Sequence, residues 1–276
     1  MKELRIITIN PGGKNTLLDE FLPLYLAFKD IPFGEKVNID VSNLEWINPL
    51  TVLFLSSYID FTGSVYKAQG DVASYLKTIK FPGGISPSAN NLNNKNYIPI
   101  YTFKKDFSPV NHFLNVIKNN IDSAKYAEDP LFYTVSELFD NVSQHSKSEK
   151  GFIVSQYYPQ KEYLENCIID TGIGLRQAYL ENGIECLSDE KAIELALSGK
   201  STKNSDERGY GLRKTVEIIC DGLKGEVLLI SGSSLVFLKS GKREMVILDG
   251  FSWKGLIVAF RIPKTTKKID LVKYYE

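Results

Sequence analysis

The chain predicts an α+β protein in two units: an α/β layer, then a two-layer α/β sandwich of helices on a mainly antiparallel sheet. Three observations carry this expectation. The first hundred residues alternate strand-like and helix-like runs, the mark of an α/β layer. The later part places its helical segments early and closes on four strand-like runs, as an antiparallel sheet with segregated helices does. The polar stretch KKDFSP, around residue 105, separates the two patterns. The expected units are residues 1–105 and 106–265, with a tail at 266–276.

Taken in order, LRIITIN reads as a strand, NTLLDEFLPLYLAFKD as an amphipathic helix and KVNIDVS as a strand. After the turn NLEWIN comes the helix PLTVLFLSSYIDF, with Pro49 at its first position, where proline is favoured. FPGGISPSANNLNNKN, residues 81–96, is rich in Gly, Pro, Ser and Asn and reads as a long loop. YIPIYTF then reads as a strand closing the first unit. The second unit opens with the helical segments NHFLNVIKNNIDSAKYAE and PLFYTVSELFDNVSQHS. GFIVSQYY and YLENCIID are its first strands, and SDEKAIELALS and GYGLRKTVEIICDGL its later helices. GEVLLISG, LVFLKS, EMVILDG and GLIVAFRIP close the sheet.

Composition narrows the function. Apolar residues make up 43% of the 276 and charged residues 24%, values of a globular protein with ample core. Lys+Arg and Asp+Glu are each 33, so no net field draws the chain to nucleic acid or membrane. The three cysteines, Cys167, Cys186 and Cys220, show no C-x-x-C spacing, and Cys167 in the run CII reads as a buried thiol. With only His112 and His145, a Cys/His zinc site is not expected. No signal-peptide core or 18-residue apolar run occurs, so a cytoplasmic, reducing location is expected.

LSGKST, residues 197–202, resembles the end of a P-loop, but Glu194 stands where that pattern needs its first glycine. A helix rather than a strand is expected before it. The more informative helix covers 130–146. Leu131, Val135, Leu138 and Val142 share one face at helical spacing, with Phe132 and Phe139 beside them, and that face reads as core. Thr134, Glu137, Asn141 and His145 form a polar strip along its edge, and Asp140 points away from both. DTGIG, residues 170–174, follows a buried strand, so its carboxylate can face a cleft while the glycines turn the backbone. ERGYGLRKTVEII, residues 207–219, sets Gly209 and Gly211 before a helix, whose free N–H groups favour phosphate. Each of these segments alone also fits an ordinary helix flank, turn or helix start.

Together and in this order, the three segments resemble the ATP-binding domain of the GHKL superfamily, the Bergerat fold. SELFDNVSQHS is similar to its N-box, E-L-x-x-N-x-x-x-H; DTGIG to its D-x-G-x-G box; and GYGL to its second glycine box. The resemblance spans roughly residues 110–263. It implies ATP and Mg²⁺ as cofactors, with Asn141 holding Mg²⁺ through its side-chain oxygen. It further implies that Asp170 accepts from the adenine amino group, with Gly172 and Gly174 shaping that wall. Gly209, Tyr210, Gly211 and Leu212 would lie along the phosphates, and Glu137 would be the general base. Residues 199–208 fall where the superfamily carries a mobile lid, so Thr202, Lys200 and Lys203 become candidate phosphate contacts or, equally, a solvated loop.

Within the superfamily, gyrase-like, Hsp90-like and mismatch-repair members carry a further domain after the ATP site. Only about 13 residues follow the last strand-like run here, so that layout is not expected. His112 lacks the acidic and basic neighbours of a histidine-kinase phosphoacceptor. The anti-sigma-factor serine kinases remain the nearest branch. KVNIDVSNLEWINPLTVLFLSSYID in turn is similar to the strand–turn–helix of STAS domains, over about 25 residues. STAS antagonists have a phosphorylatable serine where this chain has Pro49, and Thr51 is not aligned with it, so an internal phosphoswitch is not expected.

The function implied is a Mg-ATP-dependent regulatory switch that hydrolyses ATP or passes a phosphoryl group to a partner protein, as the serine kinases do. The alternatives are an ATP-gated conformational or dimerisation ATPase and a non-catalytic ATP-sensing module. The expected partners are ATP and either another protein or a second copy of the chain.

Overall fold

The computed structural model describes residues 4–13, 15–85, 96–104, 128–142, 146–200, 211–264 and 269–274. The chain begins with β1 (Ile6–Thr8), α1 (Leu17–Phe28), β2 (Asn38–Asp40), α2 (Pro49–Thr62), β3 (Val65–Lys67) and α3 (Gly70–Thr78). It continues through β4 (Tyr97–Lys104), α4 (Glu128–Asp140), β5 (Lys150–Tyr158), β6 (Tyr163–Asp170), α5 (Gly174–Glu181), α6 (Asp189–Leu197) and α7 (Gly211–Glu217). It closes on β7 (Glu226–Gly232), β8 (Ser234–Lys239), β9 (Lys242–Ile247) and β10 (Trp253–Pro263).

β1, β2 and β3 form a parallel sheet in sequence order, so α1 and α2 are crossover helices. Both have strong N-termini. Thr16 and Asp19 make a reciprocal capping box at α1, and the Asn48 amide oxygen accepts from the Thr51 N–H at α2. Every residue of α2 from Pro49 to Ile59 is buried, Thr51 included. A helix buried all round must be covered on opposite sides. α2 packs on α1 and on β5 and β6 of the larger sheet, in a core that also takes in Ile7 and Ile39 of the parallel sheet.

That larger sheet has the order β4-β5-β6-β10-β7-β8-β9, and every neighbouring pair is antiparallel. Its strands alternate between two apolar faces. Phe152, Val154, Cys167, Ile169, Leu228, Ile230, Ile257 and Ala259 join α1 and α2 in one core. Ile153, Ile168, Leu229, Val258 and Phe260 join α4, α6 and α7 in the other. The chain is thus a mixed α/β protein, and the large sheet is covered on both faces rather than one. The antiparallel sheet expected from the late strands is present. YIPIYTF, read as closing the first unit, is instead an edge strand of this sheet, paired with β5. β3, α3 and α5 are additional elements, and Phe132 is 49% exposed rather than core. The helical segment from 111 and most of the loop at 81–96 lie outside the described residues.

One end of the face against α1 is polar. In register across the sheet, Arg261 of β10 lies between Glu165 of β6 and Glu226 of β7, with Lys239 of β8 beyond Glu226. Glu20 of α1 completes the cluster: Arg261 reaches Glu20 at 2.6 Å, Glu165 at 3.0 Å and Glu226 at 3.4 Å. Glu226 also accepts the Leu17 N–H at the start of α1, and the Tyr163 ring lies 4.4 Å under the guanidinium. Three buried carboxylates share one buried cation. Burial, then the charge of Glu165, pushes the Glu20 carboxyl up to about 9, so Glu20 holds a proton at neutral pH. The Glu165 carboxyl is likewise raised by burial.

Removing the shared cation leaves buried charge without a counterpart. Arg261→Met is expected to destabilise the protein by about 3–5 kcal/mol in urea unfolding. A second expectation concerns pH. Folded Glu20 keeps its proton up to about pH 9, whereas an unfolded glutamate releases it near 4.5. The group's contribution is therefore whole below about pH 4.5 and is lost as pH rises toward about 9. Glu20→Gln keeps an acceptor for Arg261 but cannot ionise. Its stability relative to wild type should rise between about pH 5 and pH 8 in paired urea titrations.

Candidate functional site

α4 carries Glu137 and Asn141 four residues apart. The apolar set Leu131, Val135, Leu138 and Val142 anchors the helix in the core, with Phe139 against Phe103 of β4. Glu137 and Asn141 are half-buried beside that set, and Asp140 is exposed, as the spacing predicts. Thr134 departs from the polar strip: it is fully buried and its hydroxyl has no hydrogen-bond partner among the described residues. At Asn141 and Val142 the helix widens into a π turn, a distortion frequent at functional sites.

DTGIG forms the end of β6 and the start of α5. Asp170 is 1% exposed, and its Oδ1 accepts the Gly172 N–H at 2.7 Å. Burial pushes this carboxyl up to about 7, opposed by hydrogen bonds from the backbone of Gly172 and Leu256. The Ile173 N–H donates to the Ser146 carbonyl at 2.7 Å, which ties the box to the end of the N-box segment. At Gly172 a Cβ would collide with that same Ser146 carbonyl, so the two segments meet only because residue 172 has no side chain. Gly174, at φ +72°, starts α5 and turns its backbone past Ser231 and Gly255.

α7 packs against α4. A Cβ at Gly211 would collide with Glu137 Oε2, so the carboxylate of the first motif lies against the backbone of the third. Leu212 is buried beside it. Segments more than 70 residues apart in sequence, around Glu137 and Gly211, are therefore brought together. Asp170 lies on the same face of the sheet as these helices. Its carbonyl accepts from Trp253 Nε1 at 2.9 Å, and the Trp253 ring reaches the opposite core.

LSGK ends a helix. Ser188 caps the N-terminus of α6, and Gly199 at φ +85° closes its C-terminus, with the Lys200 N–H returning to the Leu195 carbonyl. This is a helix C-cap, in which the glycine supplies the left-handed backbone. The Tyr179 hydroxyl then fixes the Lys200 carbonyl at 2.7 Å. His145, Thr202, Lys203, Gly209 and Tyr210 lie outside the described residues, as does His112.

All three cysteines are free and buried. Among the described residues no group of three or more His, Cys, Asp or Glu is arranged to hold a metal by itself. A cation carried in by phosphate needs fewer protein donors, and the Asn141 amide oxygen is a hard donor suited to Mg²⁺. No described helix is long and apolar enough to cross a membrane. Comparison with protein-family models and with curated protein sequences found no match to this chain.

The two glycines separate packing from position. Gly172→Ala meets fixed backbone and is expected to cost about 1–3 kcal/mol of stability. Gly211→Ala meets the mobile end of Glu137, so its effect on stability should stay within about 0.5 kcal/mol. Thermal unfolding of the two variants side by side checks both expectations.

Proposed function

We propose that this chain binds Mg-ATP where α4, DTGIG and the start of α7 converge, and that it acts as an ATP-dependent regulatory switch through hydrolysis or phosphoryl transfer to a partner protein. The observation that carries this reading is the contact of Glu137 with Gly211, joined by that of Ser146 with Gly172 and Ile173. Three segments chosen from sequence for one chemistry meet in space. Helices α4 and α7 over an antiparallel sheet support the reading as a mixed α/β arrangement, and its Bergerat type rests on the motif resemblance. The STAS-like reading of the first unit rests on the sequence resemblance, beside a parallel β1–α1–β2–α2–β3 order that α/β layers share in general.

Mg-ATP, when bound, supplies a phosphoryl group whose displacement needs a positioned nucleophile and charge stabilisation. Asn141 would hold the cation through its amide oxygen. Glu137, four residues earlier on the same helix, would take the proton of the attacking water or hydroxyl. Asp170 would accept a hydrogen bond from the adenine amino group, with Gly172 and Gly174 forming the wall beside it. Gly211 and Leu212 would turn backbone toward phosphate, and the roles of Thr202, Lys203, Gly209 and Tyr210 rest on the resemblance alone. Binding by itself needs no general base, so Glu137 favours turnover over passive sensing.

Trp253 favours a switch over an isolated ATPase. Its indole N–H donates to the Asp170 carbonyl, while its ring lies 4.8 Å from Phe54 and 5.2 Å from Phe33. A displacement at Asp170 therefore meets a side chain packed directly on the first unit.

Affinity and phosphate release measured on the full chain test the reading. Asn141→Ala should weaken Mg-ATP binding by about tenfold or more. Glu137→Ala should keep that affinity and lose about a hundredfold or more in turnover. Absence of Mg-ATP binding by the wild type rejects the proposal. Ionised Asp170 is the form that serves as acceptor, so affinity should weaken as pH falls through about 7. Asp170→Asn should lack that step, while the protonation of ATP itself is common to both proteins.

A further inference from the structure

A second site lies away from the ATP reading and does not depend on it. Between α3, the loop leading into α2, and β5 is a cleft of about 260 Å³. Trp46, Tyr75 and Tyr158 give it three aromatic walls, and buried Ile47 and Val72 add apolar surface. Glu45 and Asp71, both exposed, supply two carboxylates. No basic side chain is among the described residues that line it. The Tyr158 hydroxyl is buried with no hydrogen-bond partner among the described residues.

The charge pattern selects one kind of ligand. Aromatic faces carry negative quadrupole potential and attract cations, most strongly when the cation is desolvated. Two carboxylates, with no basic residue among the described lining residues, add to that field and disfavour anions. Apolar walls disfavour a small, tightly hydrated metal ion, which would lose its water without gaining enough oxygen donors. An alkylated ammonium keeps its charge, sheds little hydration and presents methyl or methylene groups to the rings.

The same rings already hold an ammonium within this chain. Lys161 Nζ, from the turn between β5 and β6, lies 5.4 Å from the Trp46 ring centre and 5.8 Å from that of Tyr158. Lys161 does not line the cleft. A neighbouring cavity of about 230 Å³ shares Glu45, Trp46 and Ile47 with the cleft. Both volumes are below the roughly 300–1,000 Å³ of drug-sized pockets, so the ligand is small. We propose that this cleft binds a small organic ammonium compound, held by Trp46, Tyr75 and Tyr158 with Glu45 and Asp71 setting the preference for positive charge.

The test is calorimetric titration of the full chain with choline and, in parallel, with its uncharged carbon isostere 3,3-dimethylbutan-1-ol. Choline should bind saturably and about tenfold or more tighter than the isostere. Trp46→Leu should weaken choline binding by about tenfold or more. The double variant Glu45→Gln, Asp71→Asn alters only exposed carboxylates of the site and should reduce the choline preference while the protein stays folded at the titration temperature. Equal binding of the two probes, no saturable binding of choline, or full choline affinity in the double variant would each overturn the proposal. Should Trp46→Leu fail to fold, the isostere comparison and the double variant still decide the matter.

Discussion

A sheet with two apolar faces has to be covered twice, and the rest of this protein is arranged around that requirement. An antiparallel sheet commonly leaves one face to water. Here β6 is buried from Leu164 to Asp170 and β7 from Glu226 to Ser231, with neither strand offering a face to solvent. α4, α6 and α7 close one side and α1 with α2 the other. The motif-bearing helices therefore rest on a floor whose far side is occupied by a separate set of helices. A displacement of that floor is opposed from both directions, because close-packed interiors transmit strain rather than absorb it.

Adhesion and alignment are divided along this interface. Phe28, Phe54, Tyr58 and Trp253 supply the apolar half, with ring centres 4.8–4.9 Å apart in their closest pairs. Apolar contact is non-directional and tolerates sliding. The Arg261 cluster tolerates none. Its side chain faces α1 only because β10 alternates in step with β6 and β7, and a one-residue slip would turn the guanidinium into the opposite core. Holding three carboxylates around one cation is an expensive way to build an interface, yet it admits a single alignment.

Much of this was legible in the sequence, and the gaps have physical reasons. α2 declared itself by Pro49 at its first turn and by length; its all-round burial was written in PLTVLFLSSYI, which has no polar stripe. α3 buries only Val72 and Leu76, too few apolar positions for periodicity to register. α5 begins at a left-handed glycine and has no capping side chain, so its start carries no conventional signal. β4 was readable as a strand but not as part of the large sheet, because strand order is a tertiary property. The same holds for Glu20, Glu165, Glu226 and Arg261, ordinary charges in sequence that become one cluster through pairing register. In the candidate site, the Glu137–Gly211 contact follows the order of the motifs. The depth of Asp170 was foreshadowed by the apolar CII before it, and the burial of Thr134 was not.

The contacts between α1 and the sheet also bear on how the chain is made. Glu20 and Arg261 are 241 residues apart, and Leu17 and Glu226 are 209 apart. At about 5–20 residues per second, a ribosome delivers Arg261 about 12–48 s after Glu20. During that interval α1 has emerged without the β7 and β10 surface it is shaped to meet, and α2 waits in turn for β5 and β6. α2, apolar on every side, then has one flank open to water and to other nascent chains. The same long sequence separation slows folding in general, since distant segments must find one another before their contacts stabilise anything. Synthesis of this protein is thus its most vulnerable period, and a chaperone that shelters the first 62 residues would act at the point of greatest exposure.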